Sequence, residues 1–168
     1  KLVAVLAQFF EYLPEDYIAW EEAVGEFKNR VPELAEKLVK LIDTERKGNP
    51  RFVAAFGNFM DLCRSSINPN LSVQAVEEML IQHLLTERIF RTVFSNPDFA
   101  RRNVIAVEIE KVISALMSKS FNRDEFLKSL DRFYVAIEKA ARTIDDFAQK
   151  QQFLNTVYEK FFQGFSVK

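Results

Sequence analysis

One histidine and one cysteine limit the chemistry that this 168-residue chain can carry. His83 lies in EEMLIQHLLTERIF, with Glu87 one helical turn later and Met79 and Leu80 one turn before. A metal site asks for more nitrogen or sulfur donors than that. The spacing is not Glu-x-x-His, and no second such segment exists from which to build a di-iron bundle. A His–Glu hydrogen bond or an interface residue is the expectation. A Cys63–His83 nucleophile pair would lack a glycine elbow and a third member, so Cys63 is expected to pack as a small residue on a helix. The paired carboxylates Glu21-Glu22, Glu77-Glu78 and Asp145-Asp146 are adjacent, which splays them across a helix surface or sets them in its first turn. The four glycines, at 25, 48, 57 and 164, are isolated, whereas a phosphate-cradling loop needs them clustered. The residues therefore predict no catalytic, metal-ligating or cofactor-binding site within the chain, no cofactor and no small-molecule substrate.

One cluster is chemically distinctive. Arg101-Arg102-Asn103, with Arg88 and Arg91 nearby, is the best concentration of cations, and such a surface can hold a nucleic-acid backbone. Glu87 and Asp98 dilute it. Arg88, Arg91, Arg101 and Arg102 are thus candidate contacts either to duplex DNA or to a neighbouring domain, with ordinary surface ion pairs as the bland alternative.

The whole-chain balance favours neither nucleic acid nor an acidic partner: 23 Lys and Arg stand against 24 Asp and Glu. A single cysteine makes no internal disulfide, so the cytoplasm is the default compartment. No apolar run approaches the ~18 residues of a membrane span, which predicts no membrane association. KLVAVLA resembles the apolar part of a secretory signal, but FFEYLPEDY follows at once without a small-residue cleavage site.

Seventeen phenylalanines against four glycines and five prolines describe few turns and a large aromatic payload. Apolar residues recur at spacings of three and four, which predicts an all-α, multi-helix bundle of about seven to eight helices with no β-sheet. A first segment, Leu2 to about Tyr12, breaks at Pro14. The next carries Ile18, Trp20, Val24 and Phe27 and reaches Pro32, which reads as the start of a new helix or a kink. Leu34, Leu38, Leu41 and Ile42 form a seam ending in Arg46-Lys47-Gly48, where glycine accepts a left-handed end. Asn49-Pro50, Asn68-Pro69 and Asn96-Pro97 read as breaks. Between the first two, Phe52, Phe56, Phe59 and Leu62 share a face. Ser72 is placed to cap a segment with Val76, Leu80, His83, Leu84 and Phe90. Beyond a turn containing Phe99, the pattern continues through Val104, Ile105, Ile109, Val112 and Leu116. Asn122 followed by Glu125 reads as a capping box for a helix with Phe126, Leu130, Phe133, Ile137 and Ala141 on one face.

The last helix is expected from about Asp145, capped by Thr143 or Asp145. Its apolar positions Phe147, Phe153, Leu154, Val157, Tyr158, Phe161, Phe162 and Phe165 span about half the circumference at ~100° per residue, more than one neighbour covers. Phe153, Leu154, Val157 and Phe161 are expected to be buried, with Phe162 or Phe165 left as an apolar contact for another domain. KLVAVLAQFF at one end and QFLNTVYEKFFQGFSVK at the other both read as cut from a longer polypeptide. One domain over 1–168 is expected, with 1–67 and 71–168 as its candidate subdivisions.

From about Asn70 onward, FSNPDFARRNVIAVEIEKVISAL, RFYVAIEKAA and IDDFAQKQQFLNTVYEKFFQGFSVK resemble the coupler region of Type ISP restriction–modification enzymes. The likeness is weaker over 1–68. The resemblance implies a non-catalytic helical coupler joining a helicase-like ATPase or translocase to an adenine-N6 DNA methyltransferase in one polypeptide. The parent it implies is a restriction endonuclease that uses ATP, Mg and S-adenosylmethionine in segments other than this one. The implied partners are the ATPase and methyltransferase domains, with duplex DNA as a further candidate. Two alternatives stay open: a DNA-backbone-binding domain of the same enzyme, and a free-standing helical protein-interaction domain.

Overall fold

The computed structural model describes residues 14–93, 103–117 and 121–161, and among these residues it contains helices and no strand or sheet. The helices are α1 (Pro14–Gly48), α2 (Pro50–Ser66), α3 (Val73–Val93), α4 (Val104–Leu116), α5 (Arg123–Leu127), α6 (Asp131–Arg142) and α7 (Phe147–Phe161). A 3-10 turn, Lys128–Leu130, joins α5 to α6. Counted with α5 to α6 as one run, the described part has six helices, slightly fewer than expected. The segment at 2–12, the Asn96-Pro97 break and the turn at Phe99 lie outside the described residues.

Two expected helices are one. Pro32 lies inside the 35-residue α1, which runs through it without a break. A helix-interior proline costs about 3 kcal/mol. On either side of it Phe27, Val31, Leu34, Leu38 and Ile42 are all buried, and full burial of such a side chain contributes about 1.5–3 kcal/mol. Packing of five side chains outweighs one missing hydrogen bond. Gly48 is still helical, and the stop falls on Asn49, whose side chain accepts from Phe52 N at 3.1 Å while Pro50 takes the first helical position.

Local signals set the other starts. Ser72 Oγ accepts from Ala75 N, Asn103 Oδ1 from Ile105 N and Ala106 N, and Asn122 Oδ1 from Glu125 N. The helix expected from Asn122 onward is divided at the 3-10 turn; Leu130, Phe133, Ile137 and Ala141 are buried as expected, while Phe126 is only partly buried and Leu127 faces inward beside it. The last helix begins at Phe147, and its cap is Asp146, which accepts from Gln149 N at 2.9 Å, rather than Thr143 or Asp145. Thr143 instead donates to Ala140 O at the end of α6.

A single apolar cluster runs from Phe27 on α1 to Val157 on α7 and draws on both halves of the chain. α2 packs along α4, and Asn49 Nδ2 donates to Ala115 O, so the start of one helix meets the end of the other. α3 touches α1, α2, α4 and α6. The stack of Phe27 on Phe133, with centroids 3.7 Å apart, joins α1 to α6. On α7, Phe153, Leu154 and Val157 are buried as their spacing predicts, while Phe147 is 67% exposed, because it opens the helix rather than lying on its packed face. The Phe161 side chain, Phe162 and Phe165 lie outside the described residues.

Candidate functional site

The polar groups that the fold brings together lie where helices meet. The largest constellation joins α3, α4 and α5. His83 Nε2 lies 2.7 Å from Glu110 Oε1, and Arg123 Nη1 donates to both Glu110 oxygens, at 3.2 and 2.9 Å. Arg123 Nη2 reaches Glu87 Oε2 at 3.3 Å, and Arg91 Nε closes the chain on Glu87 Oε1 at 3.0 Å. From Glu110 to Arg91 the groups alternate in charge along a partly buried seam. Burial alone would raise the Glu110 carboxyl, but the His83 hydrogen bond and the Arg123 guanidinium outweigh it and hold the group below the usual carboxylate range. Arg123 is the first residue of α5, so this seam fixes where the α5–α6 run leaves α4.

A second joint ties α3 to α6. Arg88 Nη1 pairs with Asp131 Oδ1 at 2.6 Å and Nε with Glu138 Oε1 at 3.1 Å. The guanidinium carbon sits 4.9 Å from the Tyr134 ring centroid, within cation–π range. Tyr134 OH donates to Leu85 O at 2.6 Å, which satisfies a hydroxyl carried into the core. Burial works against the Arg88 charge, but Asp131 and Glu138 overcome it and raise its pKa.

The third joint has a different balance. Arg46 at the end of α1 lies 2.7 Å from Glu77 Oε1 on α3 and stacks over Phe56 on α2, 5.1 Å from its centroid. The approach to Glu77 is close but off the hydrogen-bond direction, which leaves Glu77 Oε1 buried without a directed donor. Burial therefore dominates and raises the Glu77 carboxyl; Arg46 opposes it and Asp43 adds to it. Glu77 is a partly buried acid that is poorly paired, and Glu110 one that is well paired.

The candidate cations separate on this geometry. Arg88 is committed to α6 through Asp131 and Glu138. Arg91 is about half exposed on α3 and shares Glu87 with Arg123. Arg101 and Arg102 lie outside the described residues. Sequence spacing singled out His83 and Glu87 but missed Arg123, Glu110, Glu138 and Arg46, whose partners lie far away in the chain. Cys63 is buried, and burial pushes its thiol up, the direction of an inert core cysteine. Among the described residues, no group of three His, Cys, Asp or Glu side chains could hold a metal ion. Among the paired carboxylates, Glu22 and Glu77 contact cations of other helices, and Asp146 caps α7.

The three joints lie in the part of the chain that matches a known domain. A comparison with protein families matches residues 20–149 to the coupler domain of Type ISP restriction-modification enzymes. The chain belongs to this coupler-domain family. The match starts near the beginning of α1, so the likeness extends into the first half of the chain as well as the second. Two solved structures share the coupler's architecture. One is the cryo-EM structure of a DrdV–DNA complex, 30% identical over 98% of this chain, with a TM-score of 0.67. The other is a nuclease-deletion mutant of the Type ISP restriction-modification enzyme LlaGI in complex with a DNA substrate mimic, 26% identical over 83% of this chain, with a TM-score of 0.70. The coupler spans 16% of the first of those chains and 11% of the second. A comparison with functionally curated proteins finds no match. Among the described residues, no helix is long and apolar enough to cross a membrane.

Proposed function

We propose that this coupler is a non-catalytic mechanical link between a helicase-like ATPase or translocase and an adenine-N6 DNA methyltransferase within one polypeptide. The observation that carries the reading is the family match over residues 20–149, on a chain that spans only 16% of a DNA-bound relative. The architecture supports it physically. A part that transmits position has to move as a body, and helices that share one apolar cluster and are cross-tied by Arg123, Arg88 and Arg46 do so. In this reading ATP, Mg and S-adenosylmethionine act in other domains, and the coupler's partners are the ATPase and the methyltransferase. Phe162 and Phe165 would contact one of those domains. Removing residues 145–168 from the full-length polypeptide is expected to abolish the dependence of ATP hydrolysis on target DNA while leaving basal hydrolysis. Unchanged target dependence would refute the link.

Direct contact with duplex DNA is the second reading, favoured by the DNA present in both structural relatives. Its candidates are Arg91, Arg101 and Arg102 more than Arg88, which is already held by two carboxylates. It requires salt-sensitive duplex binding by the chain that weakens in Arg101→Ala/Arg102→Ala. Absence of binding at low salt would exclude it.

A further inference from the structure

The turn between α2 and α3 is set apart by what it lacks. Charged residues make up 28% of the chain, yet residues 65–76 carry none, the longest uncharged stretch in the sequence. Inside a packed amphipathic helix such a run is ordinary, because much of it faces the core. This one lies at the surface: residues 65–70 and 72–74 are exposed. Ile67, at the end of α2, is 51% exposed, and Val73, at the start of α3, is 38% exposed. Hydrogen bonds hold the turn in one form. Ile67 N and Asn68 N both donate to Cys63 O, Asn70 N donates to Asn68 Oδ1, and Leu71 N donates to Asn68 O. Arg64 turns Nε and Nη2 onto Leu71 O, each at 3.2 Å, so the cation nearest in sequence is spent on the turn's own backbone.

A surface of Ser, Asn and Pro around two aliphatic side chains can be dehydrated without stripping water from a charge, and the cores of protein interfaces are depleted of charge accordingly. Its backbone is already ordered, so contact costs little conformational freedom. A nucleic-acid backbone is a poor fit, because it is held by Lys and Arg and the run has neither. We infer that the α2–α3 turn is a docking face, which another domain of the same polypeptide covers with an uncharged, apolar patch of its own over Ile67 and Val73. The inference rests on the reading above in one respect, that the coupler lies within a longer chain; it spans 16% and 11% of the two relatives' chains. A tethered domain meets this face at a high effective concentration, about millimolar for a short flexible linker. The occupant is therefore a covalently attached domain rather than a separate protein or a second copy.

Photocrosslinking in the full-length polypeptide tests it. The photoreactive residue p-benzoylphenylalanine replaces Ile67 in one variant, Val73 in a second and, as a control, the exposed Lys37 of α1 in a third. Ultraviolet irradiation should join residues 67 and 73 to peptides of the same molecule outside residues 1–168, in yields several-fold above that at residue 37. Ile67→Lys should then lower the yield at residue 73 several-fold, because docking would have to desolvate a charge. Three results would each overturn the docking face: yields no higher than that at residue 37; crosslinks confined to residues 1–168, to a second copy or to DNA; and a yield at residue 73 indifferent to Ile67→Lys. The transmitting role is read separately, by target-dependent ATP hydrolysis. That role fails if hydrolysis keeps its target dependence without residues 145–168, whether or not the crosslinks form.

Discussion

The contact of α1 with α6 and the corner of α3, α4 and α5 solve the same problem with opposite materials. In the first, two phenylalanines almost fully removed from water stack face to face, with ion pairs only at the rim. In the second, a chain of His83, Glu110, Arg123, Glu87 and Arg91 is threaded between helices while it remains partly wet. The apolar contact is non-directional and supplies stability. The charged corner adds less net stability, because desolvation offsets much of its attraction, but its hydrogen bonds hold for one arrangement only. The difference implies a division of labour: the phenylalanines keep the helices together, and the arginines specify where α5 begins relative to α3 and α4.

Truncating the apolar side should have the largest effect. Phe133→Ala removes the stack on Phe27 and opens a cavity beside Tyr134, at a cost of about 3–5 kcal/mol. Urea unfolding monitored by circular dichroism should show the midpoint fall accordingly. A loss below ~1 kcal/mol would mean that the two helices are held mainly by other contacts.

Breaking the charged corner should cost less stability and more geometry. Arg123→Ala leaves Glu110 and Glu87 partly buried without their shared cation, a loss of roughly 1–3 kcal/mol. Amide exchange should then increase around residues 121–127 more than in α2. Uniform change along the chain would contradict the positioning role.

The two acids sharpen the comparison through pH. The folded-state pKa of Glu110 lies below its unfolded value, so its contribution is present above the ordinary carboxylate range and is lost as pH falls through the folded pKa. The folded-state pKa of Glu77 is raised, so its protonated form favours the fold; that advantage is full at low pH and is lost as pH rises through the folded pKa. At neutral pH, Glu110→Gln should therefore destabilise the fold and Glu77→Gln should be neutral or stabilising. Melting temperatures of the two variants measured from acid to neutral pH check the signs, and equal destabilisation at neutral pH would erase the distinction.

The smallest effect is expected on the outer face of α1. Lys37 and Lys40 pair with Glu33 and Glu36 one turn before them, all exposed. Lys37→Ala should leave the unfolding midpoint unchanged within measurement error, and a clear shift would mean that this face is covered in solution.

How much of this was legible in the sequence follows the same division. Seams such as Leu34, Leu38 and Ile42, or Phe52, Phe56 and Phe59, announce themselves by spacing, because the helix itself places them on one face. Caps at Asn49, Ser72 and Asn122 are equally local. Of the two readings open at Pro32, the start of a new helix fails, because the cost of proline is local while the packing that overrides it is not. The charged joints are invisible along the chain: Arg123 and Glu87 are 36 residues apart, Arg88 and Glu138 are 50 apart, and Arg132 and Glu22 are 110 apart. Spacing offered Glu87 as the partner of His83, whereas the fold brings Glu110, 27 residues away. The basic cluster could be recognised by composition, but only the fold shows that Arg88 is spent on α6.

The most direct test of the account lies in the full-length polypeptide that we infer to carry this domain. ATP hydrolysis would be measured with and without target DNA in a folded Arg123→Ala variant. If the charged corner sets the geometry that is transmitted, basal hydrolysis and methylation persist while stimulation by target DNA falls several-fold. Stimulation equal to that of the unsubstituted enzyme would contradict the claim that this corner positions the coupler.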